Sequence, residues 1–243
     1  MKIKNIILGG ETQMSNFIKT LITTLTLTAL TFGQGVYITE YAGGSSDGTY
    51  FNNYIEIYNG TGADISIGDY QLWKIDGGGS WPEQVLTLGT VGRDATVAAG
   101  DVYVICHYHT EGNFPEGSCD ETWGGADWNG DDAVGLATGG SLIDAIGEDG
   151  ADIGTGWSVA GVPNATSNTT LVKKLTAGAN LDWDAAKGNN TVDGDWFVVG
   201  QDNYNYIGEY SHPIYNDCDL VTQECSDGPG GACDEAVIDD CGD

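Results

Sequence analysis

The chain has 243 residues and a formal net charge of −28, from 36 acidic and 8 basic side chains. A chain this acidic repels phosphate backbones and anionic membrane surfaces, which excludes nucleic-acid binding through a basic patch and a polybasic membrane anchor. Its apolar fraction of 40% can fill a core, and its length fits one β-rich domain with appendages.

The first 33 residues predict a secretory signal peptide rather than a part of the fold. A short positive segment runs from Met14 to Lys19, an apolar or threonine-rich run follows over 21–32, and a small residue, Gly33, ends the segment. The run is too short for the roughly 20 residues of a membrane-spanning helix. We therefore expect Met14 to be the true start, the signal to be removed, and the product to be secreted, extracellular or on the outer cell surface, with no membrane span.

Residues 34–211 predict an all-β domain, an antiparallel β-sandwich, because short apolar or alternating segments are separated by Gly, Asn and Asp turns. A helical turn is expected at 182–187, and the nearly continuous apolar segment 101–106 is predicted to be a central strand. The predicted strands are 36–41, 54–58, 70–75, 85–88, 96–98, 101–106, 133–137, 141–146, 170–175 and 196–199.

Alternation in the second of these strands assigns its side chains to two faces. Ile55 and Ile57 point to one side, which we expect to be the core, and Glu56 points to the other with two tyrosines. We expect Glu56 to be a solvated residue beside tyrosine hydroxyls, with a role as a ligand as the alternative.

The even number of cysteines indicates an oxidising compartment. Cys106 and Cys119 lie 13 residues apart within the predicted domain, and we expect them to pair. The other four cysteines allow three pairings, which the spacing leaves open. These four are Cys218, Cys225, Cys233 and Cys241.

Residues 212–243 form a tail rich in Cys and Asp, with almost no apolar side chains. Such a segment cannot build its own core, so it is expected to be disordered, stapled by disulfides or ordered by cations. It is either a terminal tail or the start of a longer region.

Calcium is the best chemical candidate, since clustered carboxylates supply the oxygen ligands that Ca²⁺ requires. No cofactor is expected to be required. A solvated acidic surface is the alternative explanation for every cluster, and turn formation is the favoured explanation for the acids of 129–132. A further acidic cluster spans 144–152. The predicted calcium ligands are Asp127, Asp131 and Asp132 in the domain, with Asp217 and Asp219 in the tail.

Catalytic motifs are scarce, and we expect no enzyme activity. The three histidines, His107, His109 and His212, lie in no arrangement typical of a hydrolytic triad, and the glycine pairs match no phosphate-binding loop. The seven tryptophans, of which we expect one or two in the core, suggest instead a stacking face for sugars or a partner protein.

Several segments together resemble the lamin-tail domain of exported bacterial proteins. Segments 38–46, 54–59 and 67–72 resemble its opening, 98–105 its central strand, and 128–147 its later hairpin. The resemblance implies an immunoglobulin-like β-sandwich that serves as an accessory or structural module rather than an enzyme. The tail from Cys233 is similar to Asp/Cys-rich repeats near the ends of secreted marine bacterial proteins.

These observations predict a non-catalytic module of the cell surface, used in adhesion, in surface or matrix assembly, or in targeting an exported protein. Its expected partner is a protein or a polysaccharide at the cell surface. The alternatives are the accessory part of an exported hydrolase such as a nuclease, and a carbohydrate-binding module.

Overall fold

A computed structural model describes residues 35–44, 46, 51–90, 95–110 and 114–210. The predicted signal peptide and the tail 212–243 lie outside the described residues. Within these residues the strands are β1 Val36–Ala42, β2 Tyr54–Asn59, β3 Ile65–Ser66, β4 Tyr70–Ile75, β5 Gln84–Thr87, β6 Thr96–Val97, β7 Val102–Cys106, β8 Glu121–Thr122, β9 Ala133–Thr138, β10 Ser141–Ile146, β11 Thr170–Lys173 and β12 Trp196–Val198.

The strands form two main sheets, which confirms the predicted all-β class. One has six strands in the order β12-β11-β1-β2-β7-β8, and the other has four in the order β10-β9-β4-β5. All their ladders are antiparallel except the short β7–β8 pair. The strands β3 and β6 pair separately. In the described residues, no helix is long and apolar enough to span a membrane.

Helical structure is limited to short pieces. A 3-10 turn covers Ile67–Asp69, and the helix α1 covers Trp183–Lys187, at the predicted helical turn. The Asp182 side chain caps α1 by accepting a hydrogen bond from the Ala185 N–H, and Trp183 anchors the helix in the core.

The core lies between the sheets, and alternation along each strand explains its composition. Ile55 and Ile57 of β2 belong to the main apolar cluster, as predicted, together with Leu72 and Leu136 from the facing sheet. Four tryptophans are buried, more than the one or two expected, because loop tryptophans as well as strand tryptophans turn inward. They are Trp128, Trp157, Trp183 and Trp196.

The sandwich differs from the prediction in its order of strands. The segment expected at the centre, β7, lies next to the two-residue edge strand β8, and the centre of the six-stranded sheet is β1 and β2. Strand β7 is apolar because both of its faces are covered: Ile105 packs in the main core and Val104 packs on the opposite side of the sheet. Burial on both faces, rather than a central position, explains its apolar run.

The segment 199–210 covers the outer face of the six-stranded sheet. Tyr206 and Tyr210 pack against Tyr37 and Phe197 in one cluster, and Tyr204 packs beside Tyr54 in another. The Tyr210 hydroxyl donates to the carbonyl of Lys174 at 2.9 Å, which fixes the end of the segment to the residue that follows β11. This sheet therefore has two buried faces.

Candidate functional site

The four-stranded sheet has an outer face that carries tryptophan. Strand register places Trp73, Val85 and Gly135 side by side on β4, β5 and β9. A second row beside them on the same strands consists of Gln71, Thr87 and Ala137. We call the tryptophan face the set formed by Gln71, Trp73, Trp81, Val85, Thr87, Gly135, Ala137 and Leu142.

Gly135 allows the loop tryptophan Trp81 to lie over the sheet. A Cβ atom at position 135 would stand 2.5 Å from Leu142 Cδ2 and 3.4 Å from the Trp81 ring. Any larger residue would displace Leu142, so the glycine keeps the two apolar side chains against the strand. Trp81 thus extends the face that Trp73 begins on the neighbouring strand.

The Trp73 ring is held in place by its own strand. Its Nε1–H donates to Gln71 Oε1 at 2.9 Å, and residues two apart on a strand share a face. Both Trp73 and Trp81 are half-buried, and Val85 beside Trp73 is 47% exposed. The face therefore presents oriented indole surface to solvent.

The face is free of charge although the protein is strongly acidic. The outward positions of its four strands are occupied by apolar, amide and hydroxyl side chains. One end of the face, at Ile75 and Ala133, is buried beneath loops, and the rows of Gln71 and Trp73 form the accessible part. The protein has a net charge of −28, which repels anionic ligands, and an uncharged face offers them no compensating contact. The face is therefore better suited to neutral ligands.

The predicted calcium ligands Asp127 and Asp132 come together, but around an amine. Lys74 Nζ lies 2.6 Å from Asp127 Oδ1, 2.6 Å from Asp76 Oδ1 and 3.7 Å from Asp132 Oδ2. The ammonium thus supplies positive charge where we expected Ca²⁺. Within the described part of the chain, no group of three or more His, Cys, Asp or Glu side chains is arranged to hold a metal ion.

The protonation of this cluster follows from its contacts. Burial alone lowers the pKa of the Lys74 ammonium, but hydrogen bonds to Asp127 and Asp76 outweigh burial, so the pKa rises above its ordinary value. Burial raises the pKa of the Asp132 carboxyl against the opposing charge of Lys74. Asp132 also accepts from the N–H groups of Gly77 and Asn129, so it serves the turn chemistry that was the alternative explanation.

Asp131 points to a different place. It lines a polar cleft of about 270 Å³ together with Asn129, Asn164 and Ser167. Asp127 and Asp132, which lie near the Lys74 ammonium, do not line this cleft. Calcium binding by Asp131 remains a prediction, and Asp217 and Asp219 lie outside the described residues.

The predicted disulfide is present. Cys106 and Cys119 are bonded with their Cα atoms 5.8 Å apart, and they close the loop between β7 and β8. The remaining four cysteines lie outside the described residues. His107, next to Cys106, accepts a hydrogen bond at Nδ1 from the His109 N–H, and burial lowers the pKa of its imidazole. The two histidines thus stabilise the loop that follows β7.

Glu56 is buried, so its expected exposure to solvent is wrong. It lies directly opposite Glu40 in the β1–β2 ladder, and neither side chain is exposed. Glu56 accepts from Thr39 Oγ1 and the Gly208 N–H, each at 2.7 Å, and Glu40 accepts from the Tyr54 hydroxyl at 2.7 Å. The cover provided by 199–210 turns the expected solvent face into an interior.

Burial raises the pKa of both carboxyls. The pKa of Glu40 lies well above its ordinary value because of burial and the neighbouring Glu56 charge. The pKa of Glu56 rises to about 7 through burial, although hydrogen bonds from Thr39 and Gly208 oppose the shift. The flanking residues Tyr54 and Tyr58 were the sequence signal for this site, since large aromatics on the same face indicate cover.

A second buried charge joins the two sheets. Asp144 of β10 accepts from Lys173 Nζ of β11 at 2.7 Å, and both side chains are 1% exposed. The same carboxylate accepts from the N–H groups of Ile38 and Asn180. In the sequence, Asp144 is a single acid within an apolar strand, and this position indicates a buried charge. On sequence grounds we instead grouped Asp144 with the acidic cluster 144–152.

The described residues form an immunoglobulin-like β-sandwich, a class of binding and structural modules. Residues 32–150 match the family model of the Lamin Tail Domain. This part of the chain is therefore a lamin tail domain, as its sequence motifs indicated. No curated protein and no solved structure shows a significant match to the chain.

The sandwich extends past the matched segment. Strands β11 and β12 follow residue 150, and β11 pairs directly with β1, so the six-stranded sheet requires both parts of the chain. The added residues also supply the segment 199–210, which covers that sheet. The family match thus accounts for β1 to β10, and the following residues close one side of the domain.

Proposed function

We propose that this protein is a non-catalytic module of the cell exterior that attaches a protein or a surface matrix to a partner. The observation that carries the proposal is the contrast between the two outer sheet faces. One is covered by the chain's own segment 199–210, and the other presents Trp73, Trp81 and Val85 to solvent. A sandwich with an open aromatic face is suited to binding.

In the described part of the chain, the buried charged side chains all contact partners within the fold, and this supports the non-catalytic part of the proposal. Lys74 is surrounded by carboxylates, Asp144 is paired with Lys173, and the Glu40–Glu56 pair lies beneath a covering segment. Catalytic acids and bases need contact with a substrate. These side chains instead connect elements of the fold.

The predicted signal peptide, the disulfide and the acidic composition support a location outside the cell. A disulfide such as Cys106–Cys119 is typical of oxidising compartments. A net charge of −28 favours solubility in a salty medium. We therefore propose an exported protein, as the residues before Gln34 predict, and of bacterial type, as the resemblance to exported lamin-tail proteins implies.

The proposal is tested by fractionating the cells that produce the protein and by measuring how the purified chain binds their envelope. We expect the chain outside the cytoplasm, and we expect saturable binding that Val85→Arg weakens about tenfold or more, which corresponds to about 1.4 kcal/mol. Tyr108→Ala is the matched control, because Tyr108 is a 57% exposed aromatic outside the tryptophan face. A cytoplasmic product, or binding that ignores Val85→Arg, would contradict the proposal.

The full-length gene tests the accessory alternative. A nuclease or other hydrolase motif following Asp243 would assign the module to an exported enzyme, and turnover of a substrate by the present chain would refute a non-catalytic role.

We also propose that calcium orders the tail 212–243 through Asp217 and Asp219. Limited proteolysis is expected to cleave the tail faster in chelator than in millimolar Ca²⁺, and Asp217→Asn with Asp219→Asn should abolish the difference. The sandwich should remain equally resistant in both conditions, since Lys74 already neutralises Asp127 and Asp76. Identical cleavage of the tail with and without Ca²⁺ would rule the proposal out.

A further inference from the structure

We infer that the tryptophan face binds a neutral polysaccharide chain. The inference rests on the proposed function and names the class of ligand. Three features of the face carry it: the paired indoles, the row of amide and hydroxyl groups beside them, and the absence of charge on the sheet positions that form the face.

The aromatic geometry fits sugar rings. Trp73 stands on β4, and the ring of the loop residue Trp81 lies over Gly135 of the adjacent strand β9, so the two indoles lie over neighbouring strands. Strands in a sheet lie about 4.8 Å apart, which brings both rings within reach of one extended chain. A sugar ring has an apolar C–H surface, and this surface can pack flat against an indole ring.

The polar groups lie where a sugar's hydroxyls need partners. Gln71 and Thr87 form a cross-strand pair directly beside the Trp73 row. The Gln71 side chain accepts from Trp73 Nε1 through Oε1, which leaves its amide N–H groups to donate outward. Binding sites of this type combine apolar surface with a few placed polar groups.

Charge selects against acidic polymers. The chain carries a net charge of −28, and the face has no cationic side chain among its members to pair with a carboxylate or sulfate. An anionic polysaccharide would approach through a repulsive field without a compensating contact. A neutral chain meets neither obstacle.

The size of the face argues against a protein as the partner. Stable protein interfaces bury about 1,200–2,000 Å² in total, with an apolar centre. The accessible apolar groups here are two half-buried indoles, Leu142 and Val85. A narrow strip of this kind matches a single polymer chain.

The test is retention of the full purified chain in affinity gels containing a neutral polysaccharide, with cellulose, chitin, laminarin and starch as probes and alginate as the anionic comparison. We expect retention on at least one neutral polymer and none on alginate. Trp73→Ala is expected to weaken retention about tenfold or more. Val85→Arg should do the same without removing any core contact, and Tyr108→Ala should leave retention unchanged.

Circular dichroism of each variant establishes that the sandwich is intact. Retention on alginate alone, retention unaffected by Trp73→Ala and Val85→Arg, or no retention on any neutral polymer would overturn the inference. If binding to the envelope is destroyed by protease treatment of the envelope while all neutral polymers fail, the partner is a protein. The proposed function then stands and the polysaccharide inference falls.

Discussion

Asp144→Asn is expected to lower the free energy of unfolding by about 3–5 kcal/mol, the typical cost of leaving one member of a buried ion pair without its partner. Lys173 would keep its charge and be left with the Gly178 carbonyl and two aromatic rings, those of Trp196 and Tyr37, whose centroids lie 4.7 and 5.4 Å from Nζ. Both residues are 1% exposed, so water cannot replace the lost carboxylate.

The opposite substitution should cost less. Lys173→Met leaves Asp144 with hydrogen bonds from the N–H groups of Ile38, Ala145 and Asn180, so its charge remains solvated by the backbone. We expect a loss of about 1–3 kcal/mol. The double variant should lose less than the sum of the two, with a coupling of about 1–3 kcal/mol.

Urea unfolding of the three variants and the wild type measures this asymmetry. Asp184→Asn is the control, since its pair with Lys187 lies on the surface of α1 and is expected to contribute less than about 0.5 kcal/mol. Equal losses for Asp144→Asn and Lys173→Met, or purely additive effects, would show that the pair does not link the two sheets as the structure indicates.

The Glu40–Glu56 pair is expected to contribute more to the stability of the protein in acid than at neutral pH. Both pKa values are raised by folding, so this pair contributes most below the unfolded pKa of about 4.3 and loses its contribution as pH rises through about 7, the pKa of Glu56. The charges of Asp120 and Asp101 act on Glu56 in the same direction.

Because its pKa is raised in the folded state, Glu40 binds a proton when the protein folds at neutral pH. Glu40→Gln puts a neutral side chain there, so folding no longer requires this proton. We expect it to stabilise the protein by about 1–3 kcal/mol at pH 8 and to change little at pH 4, where both carboxyls are already neutral. Thermal unfolding at the two pH values is the measurement, and Glu116→Gln, at an exposed position, is the control. A stabilisation of equal size at both pH values would mean that titration of the pair is not the cause.

This pair also connects the fold to the covering segment. The Glu56 carboxylate accepts from the Gly208 N–H, and Tyr204 packs on Tyr54, whose hydroxyl donates to Glu40. Ionisation of the pair therefore places buried charge directly beneath the segment 199–210 and favours opening of that segment. Hydrogen exchange at Gly208 should therefore become faster between pH 5 and pH 8 by more than the intrinsic pH effect, and Glu40→Gln should remove the excess.

Much of the sandwich could be predicted from local sequence. Strands β2, β4, β9 and β10 alternate or run apolar between clear turns, and their bounds agree with the prediction to within one residue. The capped turn at Trp183–Lys187 follows from Asp182 and the helix-forming residues after it. Two-residue strands such as β3 and β8 carry too little pattern to be recognised.

The candidate site was predictable in composition but not in position. Seven tryptophans indicated a stacking surface, yet which of them remained accessible depended on strand register and on Gly135 beneath Trp81. The calcium prediction for Asp127 and Asp132 could not anticipate Lys74, which is distant in sequence and reaches them only across the fold.

The sequence by itself determined the β class, the lamin tail motifs, the Cys106–Cys119 pair and the acidic character, because these depend on side-chain alternation, turn residues and composition. Only the tertiary structure decided that Glu56 and Lys173 are buried, that 199–210 covers one sheet, and that Trp73 stays open to solvent. The physical reason is that a strand pattern reports which residues share a face, whereas the cover on that face comes from segments far away in the chain.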